Sequence, residues 1–202
     1  MTQEELSNKR LWFVVLVAYF IFGYISLGNL NMHRIHYFDV SLPFESKIPF
    51  IPFFIIGYTS VYLALILVYV LIDDYKLFKR AIFFFVAVST IHFLFFWFMP
   101  VKMIRPDMTA ASGIMSVITK YYYLIDNPTN CFPSLHVAYP LVGTTVMWNY
   151  KRMWGYLMLF LTALIAISVI LVKQHYIMDV IGATIVVFFV LLMQKTLLKG
   201  RP

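Results

Sequence analysis

The sequence predicts an all-α, polytopic membrane protein: a six-transmembrane-helix bundle forming a single domain over residues 1–202. Three observations predict it. The chain is 62% hydrophobic and 12% charged, with a mean hydropathy of +0.83, more apolar surface than a water-soluble domain of this length carries. The apolar residues gather into six runs, each approaching the roughly 20 residues a helix needs to cross the hydrocarbon. Basic residues concentrate in alternate connections between those runs, as orientation in a bilayer requires.

The first run, Leu11–Leu30, follows "MTQEELSNKR". It is too long for the core of a cleaved signal and lacks a small-x-small cleavage site, so it reads as a retained first span. The second, Ile51–Ile72, and the third, Ala81–Pro100, are joined by "DDYKLFKR", a solvated turn. The fourth, Leu135–Tyr150, is short and holds Pro140, Gly143, Thr144 and Thr145. Such a helix belongs among its neighbours, which satisfy its backbone, rather than against lipid. Tyr156–Val172 and Asp179–Leu198 complete the set. Between the third and fourth runs, Ile114, Val117, Ile118, Tyr121, Tyr122 and Ile125 recur at helical spacing. Two readings fit that stretch equally: a short helix in the interface with its tyrosines at headgroup depth, or a loop with an aromatic belt.

Lys9, Arg10, Lys76, Lys79, Arg80, Lys151, Arg152, Lys195, Lys199 and Arg201 fall at one end of such a bundle. Arg34, Lys47, Lys102, Arg105, Lys120 and Lys173 fall at the other. The first set is larger and sits in short connections, so that end is expected in the cytoplasm with both termini. Asn31–Phe50, Val101–Ser134 and Lys173–Met178 then face the periplasmic, extracellular or lumenal side. The net charge of +7 is explained by orientation, and no nucleic-acid partner is expected. A lone cysteine, Cys131, excludes an internal disulfide and a metal site built on thiolates.

This topology brings ionisable residues from three connections to one end, where their chemistry is complementary. "NCFPSLHV" starts a helix: Ser134 suits the N-cap, the free N–H groups there, Leu135 included, make an anion site, and His136 lies in the first turn. Lys102 and Arg105 are three residues apart. If the third helix continues through them, both cations point to one side, and two cations on one edge suit phosphate. His175 and Asp179 are four apart and would share a helix face, the carboxylate holding one ring N–H and leaving the other nitrogen free. A cationic clamp, a helix start and two imidazoles are the equipment for phosphoryl transfer through a phosphohistidine. Metal catalysis is the lesser reading, because the neighbouring cations oppose a divalent ion; neither metal nor cofactor is expected.

These residues resemble the type 2 phosphatidic acid phosphatase superfamily, marked by a basic motif ending in Arg-Pro, then Pro-Ser-Gly-His, then Ser-Arg, five residues, His, three residues, Asp. Arg105-Pro106 matches the end of the first, Pro133-Ser134-Leu135-His136 the second, and Ser168, His175 and Asp179 the third. Three departures stand out: Phe98 replaces the first motif's Lys, Leu135 the Gly of the second, and Val169 the Arg of the third. Lys102 and Lys173 are the nearest substitutes for the lost charges. "FPSLHV", "KQHYIMDVIGA" and the stretch holding Asp39, Pro49, Pro52 and Tyr58 are similar to the branch containing inositol phosphorylceramide synthases. The resemblance implies a six-helix membrane fold, His175 as nucleophile, Asp179 as its orienting carboxylate and His136 as general acid. Lys102, Arg105, Ser134, Leu135 and Lys173 would hold phosphate, within an outer catalytic loop at about 101–134.

The implied activity is hydrolysis of a lipid phosphate ester of the phosphatidic acid, phosphatidylglycerophosphate or prenyl diphosphate class. The alternative is transfer of a phosphoryl headgroup to an alcohol. A lipid transporter that keeps the fold without turnover is the rival from another class. Other histidines carry bland readings: His92 as a hydrogen-bonded core residue, His33 and His36 as solvated or interfacial. Cys131 reads as a small packed residue.

Overall fold

The computed structural model describes residues 1–109 and 112–199, the last five of these as backbone only. Arg201, assigned above to the cytoplasmic end, lies outside the described residues, as do the side chains of Lys195 and Lys199. Among the described residues there are seven α-helices and no strand: α1 (Gln3–Met32), α2 (Ile55–Leu71), α3 (Tyr75–Phe98), α4 (Ile114–Ile125), α5 (Leu135–Tyr150), α6 (Arg152–Leu171) and α7 (Ile177–Lys199).

Several helices start earlier than their apolar runs because polar residues cap them. Thr2 Oγ1 accepts the Glu5 N–H at 3.1 Å while the Thr2 N–H donates to the Glu5 carboxylate at 2.8 Å, a reciprocal capping box that begins α1 at Gln3. Asp74 Oδ1 accepts from the N–H groups of Lys76 and Leu77 at 2.7 and 3.0 Å, which starts α3 at Tyr75. Of the two readings for the stretch after Gly113, the helix is found, as α4.

Five helices, α1, α2 with its lead-in from Pro52, α3, α6 and α7, are long and apolar enough to cross a membrane. The chain therefore reads as an integral membrane protein. The expected six spans become five plus a shorter helix: α5 has 16 residues, about 24 Å at 1.5 Å per residue, against roughly 30 Å of hydrocarbon. It lies among the others, burying Val137, Ala138, Val142 and Met147 against α2, α3, α6 and α7.

Only Lys151 separates α5 from α6, so the two helices meet closely at their junction. A Cβ on Gly155 would stand 2.8 Å from Trp148 Cα and 3.1 Å from its backbone nitrogen. Backbone cannot yield as a flexible side chain does. Gly155→Ala is expected to destabilise the fold by about 1–3 kcal/mol, read as a lower thermal midpoint in detergent; an unchanged midpoint would refute the tight junction.

The connections collect at the two ends of the bundle. At one end, Lys9 is buried rather than solvated: its Nζ donates to the Ile72 carbonyl at 2.7 Å and lies 4.9 Å from the Tyr69 ring centroid. The other end gathers the three long connections. Phe38 N–H donates to the Pro100 carbonyl at 2.9 Å, Ile51 N–H to Leu171 at 2.9 Å and Met103 N–H to Pro128 at 2.8 Å. Tyr123 Oη adds a bond to the Val172 carbonyl at 2.6 Å.

Candidate active site

The site grows from the turn that links α6 to α7. Lys173 takes a left-handed φ of 51°, and the chain folds back so that the N–H groups of Gln174 and His175 both donate to the Val169 carbonyl, at 2.9 and 3.1 Å. His175 precedes α7, which begins at Ile177, so it does not share a helix face with Asp179 as expected. The pair meets because Asp179 in the first turn reaches back: its Oδ2 accepts the Tyr176 N–H at 2.9 Å and the His175 Nδ1–H at 3.1 Å. Glu45, from the connection between α1 and α2, fastens the helix start by accepting the Ile177 N–H at 2.5 Å and the Leu42 N–H at 2.6 Å.

The start of α5 is tied to the same place. Ser134 occupies the N-cap position but makes no side-chain capping bond, a correction to the sequence expectation. Its N–H donates instead to the Asp179 carbonyl at 3.0 Å. That bond anchors the helix start, and the buried hydroxyl is left without a partner among the described residues. Leu135, the first residue of α5, is buried beside it.

His136 and His175 come into contact. His175 Nε2 lies 3.3 Å from His136 Nδ1. Since Asp179 takes the Nδ1–H of His175, the free Nε2 is the acceptor and His136 Nδ1–H the donor, a tautomer assigned from the network. Beyond it, His136 Nε2 lies 3.9 Å from Asp126 Oδ2. Asp126 is held by two hydroxyls, Tyr24 Oη at 2.7 Å and Tyr58 Oη at 2.5 Å, and the Tyr58 ring lies against the His136 ring with centroids 4.6 Å apart. The result is a row of carboxylate, imidazole, imidazole, carboxylate. Asp126 was not anticipated as a site residue. Its only signal in the sequence is a carboxylate ending the apolar "YYYLID" shortly before the Pro-Ser-Leu-His motif.

The cations divide. α3 stops at Phe98, and prolines at 100 and 106 bracket an extended rather than helical segment. Alternate residues of extended chain point opposite ways: Val101 and Met103 are buried, Lys102 and Ile104 exposed. Lys102 therefore does not join Arg105. Its Nζ lies 5.3 Å from the Tyr37 ring centroid, and the one place the two cations share is the wall of a neighbouring cavity that Tyr37 and Asp39 also line.

Arg105 turns inward. Its Nη2 donates to Gln174 Oε1 and its Nη1 to the Tyr123 carbonyl at 3.0 Å, with the guanidinium 4.5 Å from the Tyr123 ring centroid. Three buried donors here, Arg105 Nε, Gln174 Nε2 and Ser134 Oγ, lack hydrogen-bond partners among the described residues. Leaving buried donors unpaired costs about 1–3 kcal/mol each, and this set, gathered beside two imidazoles, is able to take an anionic acceptor. Gln174, like Glu45, was missed: a neutral amide next to a motif histidine carries no signal of its own.

A model of the PAP2 superfamily matches residues 44–193. The chain belongs to the PAP2 superfamily. Membership points to phosphatase or phosphotransferase chemistry. No curated protein and no solved structure matches the chain. The PAP2 match takes in Glu45, Arg105, Asp126, Ser134, His136, Gln174, His175 and Asp179, and leaves out Tyr24 on α1. Ser168 of the third PAP2 motif donates to the Leu164 carbonyl at 2.6 Å within α6. His92 in α3 has its Nδ1 2.7 Å from the Val88 carbonyl.

Within this PAP2 fold, one chamber reaches His175 and another reaches His136. One, of about 430 Å³, is lined by Glu45, Arg105, Lys173 and His175. Lys173 Nζ donates there to the Glu45 carbonyl at 3.3 Å; burial lowers its pKa, and the Glu45 carboxylate partly offsets this. The second chamber, of about 280 Å³, is lined by His136 and Asp126 at one end and by apolar residues of α1 and α2. The metal question centres on Cys131, His175 and Asp179, whose ligand atoms lie within 4.8 Å of one another. They do not fit a metal well: burial pushes the Cys131 thiol up in pKa, it donates to the Pro128 carbonyl at 3.2 Å, and a protonated thiol is a poor ligand.

Proposed function

We propose that the protein is a membrane lipid phosphatase, hydrolysing a phosphate ester of the phosphatidic acid, phosphatidylglycerophosphate or prenyl diphosphate class through a phosphohistidine. The observation that carries this reading is the 3.3 Å contact between His175 Nε2 and His136 Nδ1, with Asp179 behind the first ring.

Asp179 holds the Nδ1–H of His175 and leaves the Nε2 lone pair to attack phosphorus. The phosphoryl group must first displace the resting contact between the rings. As the N–P bond forms, the ester P–O bond breaks, and the departing alkoxide takes a proton from His136. Water then gives its proton to His136 while its oxygen attacks phosphorus; the N–P bond breaks, the electron pair returns to His175, and phosphate leaves. Arg105, the unpaired Ser134 and Gln174 donors, the Leu135 N–H and the nearby Lys173 stabilise charge on the equatorial oxygens. Lys102 has no part in this. The excess of basic residues at the opposite end supports placing the site on the outer face, with both termini cytoplasmic, and α5 as a sixth, short membrane helix.

A second reading, transfer to an alcohol in the manner of the phosphorylceramide synthases, is favoured by the separate chambers beside His175 and His136. A panel of the three lipid classes, assayed for inorganic phosphate with and without added alcohol and with chelator, separates the readings. Phosphate release without alcohol, unaffected by chelator, is the expected result. Turnover only with alcohol would establish the transferase instead, and loss in chelator would refute the metal-free chemistry.

A further inference from the structure

α4 is apolar on two sides. Toward the bundle, Met115, Ile118 and Tyr122 pack against the hydrophobic core, and Tyr122 meets Tyr58 of α2 with ring centroids 5.7 Å apart. Away from it, Leu124, Val117, Tyr121, Ile114 and Ile125 follow one another around the helix, at about 3.6 residues per turn, as an unbroken exposed arc. Leu124 and Ile114 are 76% and 73% exposed. Ser116 and Lys120 fall beside Tyr123 on the remaining side. A surface helix ordinarily has one apolar stripe, and that stripe faces the core; a second arc calls for another partner. The position of α4 says which. It packs on the first turn of α2 and on the Pro52–Phe54 lead-in, part of a segment long and apolar enough to cross a membrane. Phe53, Ile56 and Tyr62, all exposed, continue the apolar surface onto that segment. Whatever bathes the start of α2 therefore bathes the arc of α4. Tyr121 in the arc and Lys120 at its edge suit headgroup depth, where a phenol ring straddles the boundary and an ammonium reaches phosphate on an apolar stem.

We infer that α4 is a docking surface for the lipid leaflet at the active-site end of the bundle, and that this contact holds Arg105 in place. Tyr123 makes the connection. Its carbonyl accepts from Arg105 Nη1 at 3.0 Å, and its ring lies 4.5 Å from the guanidinium. Its hydroxyl donates to the Val172 carbonyl at 2.6 Å, at the turn that leads to His175. Tyr123 and Leu124 are consecutive residues of one hydrogen-bonded helix. A helix that rolls or lifts to hide its apolar arc from water must carry Tyr123 with it, away from the arginine and the turn. Lipid around Leu124, Val117 and Ile114 removes the reason to roll, because the arc is then already out of water. The leaflet adds no group to the chemistry; it keeps α4 in the orientation that seats the guanidinium. The docking is independent of the chemistry proposed above, and only its effect on Arg105 rests on that chemistry.

The test has two arms. In the first, Leu124→Cys and Lys120→Cys carry a nitrobenzoxadiazole maleimide in phosphatidylcholine vesicles. The native Cys131 is 2% exposed, and wild-type protein taken through the same labelling is the blank. A nitroxide near the top of the lipid acyl chain is expected to quench the label at 124 at least about threefold more than the label at 120, and iodide on both sides of the membrane to show the reverse order. A label at 124 that iodide reaches as well as it reaches 120 would put the arc in water and overturn the docking. A label at 124 shielded from both quenchers would put protein there, such as a second copy of the chain, and overturn it too. In the second arm, Val117→Gln and Leu124→Gln replace exposed residues with a good helix former. Each is expected to lower kcat/KM for p-nitrophenyl phosphate in vesicles by about tenfold at an unchanged thermal midpoint. This ester dissolves in water, so delivery of a lipid is not what is read. Leu124→Gln is expected to cost nothing further in Arg105→Ala protein. Unchanged rates, or equal losses with and without Arg105, would overturn the hold on the arginine. Wild-type protein that releases phosphate neither from this ester nor from any lipid of the panel above would refute the proposed function, and the quenching would still decide the docking.

Discussion

His175→Ala is expected to remove turnover of every lipid phosphate, with phosphate release falling by at least ~10⁴-fold. In the proposed mechanism His175 is the nucleophile, its Nδ1 bound to Asp179 at 3.1 Å so that Nε2 is left free. His136 cannot replace it, since its own Nδ1–H points at His175 Nε2 at 3.3 Å and its far nitrogen faces a second carboxylate. Removing the ring leaves the cations and donors in place, so binding of phosphate should survive better than catalysis. Wild-type protein given labelled substrate and quenched in alkali should retain acid-labile label, as a phosphoramidate does, and the variant should retain none. Pairing His175→Ala with His136→Ala should cost little beyond the first loss, because in the proposed mechanism the residues act on one reaction coordinate. A His175→Ala protein that still moved lipid but never released phosphate would identify a transporter, and one that still hydrolysed lipid would end the phosphohistidine proposal.

Arg105→Ala is expected to lower kcat/KM by about 10²–10³-fold, and Arg105→Lys to recover little of it. The guanidinium is bound on three sides, by the Gln174 amide, the Tyr123 carbonyl and the Tyr123 ring 4.5 Å away, and its unpaired Nε is one of the buried donors at the site. A lysine can supply the charge but not the planar fork, so Gln174 and Tyr123 would lose their shared partner. Lys102→Ala is the informative comparison. The side chain is exposed and sits beside Tyr37, so its loss should change kcat/KM less than about threefold, in keeping with exposed charges. Equal losses at the two positions would restore the paired clamp that the residue spacing suggests.

The contrast between these cations shows how far residue types and spacing reach. Spacing of three puts two side chains on one side only on a helix, and the pairing of Lys102 with Arg105 depends on it. The backbone between the prolines at 100 and 106 is extended, and the same spacing then sends the side chains to opposite faces. The His175–Asp179 spacing survived a similar error, because a carboxylate in the first turn of α7 reaches the residues just before the helix. Ser134 shows the opposite case: the N-cap position is legible in the sequence, but the unpaired hydroxyl is not, since it depends on which groups of other segments pack around it.

By itself the sequence determined which segments leave water, where α5 begins and ends, and that three connections share one end of the bundle. Those are local matters: an apolar run, a capping residue or a proline acts over a few positions and needs no knowledge of its neighbours. Only the tertiary structure decided which polar groups meet. Tyr24 and Asp126 are 102 residues apart, and Glu45 and Ile177 are 132 apart. A hydrogen bond exists only within about 3 Å, so such partners are set by how the helices pack, and nothing in either residue's own surroundings announces the other.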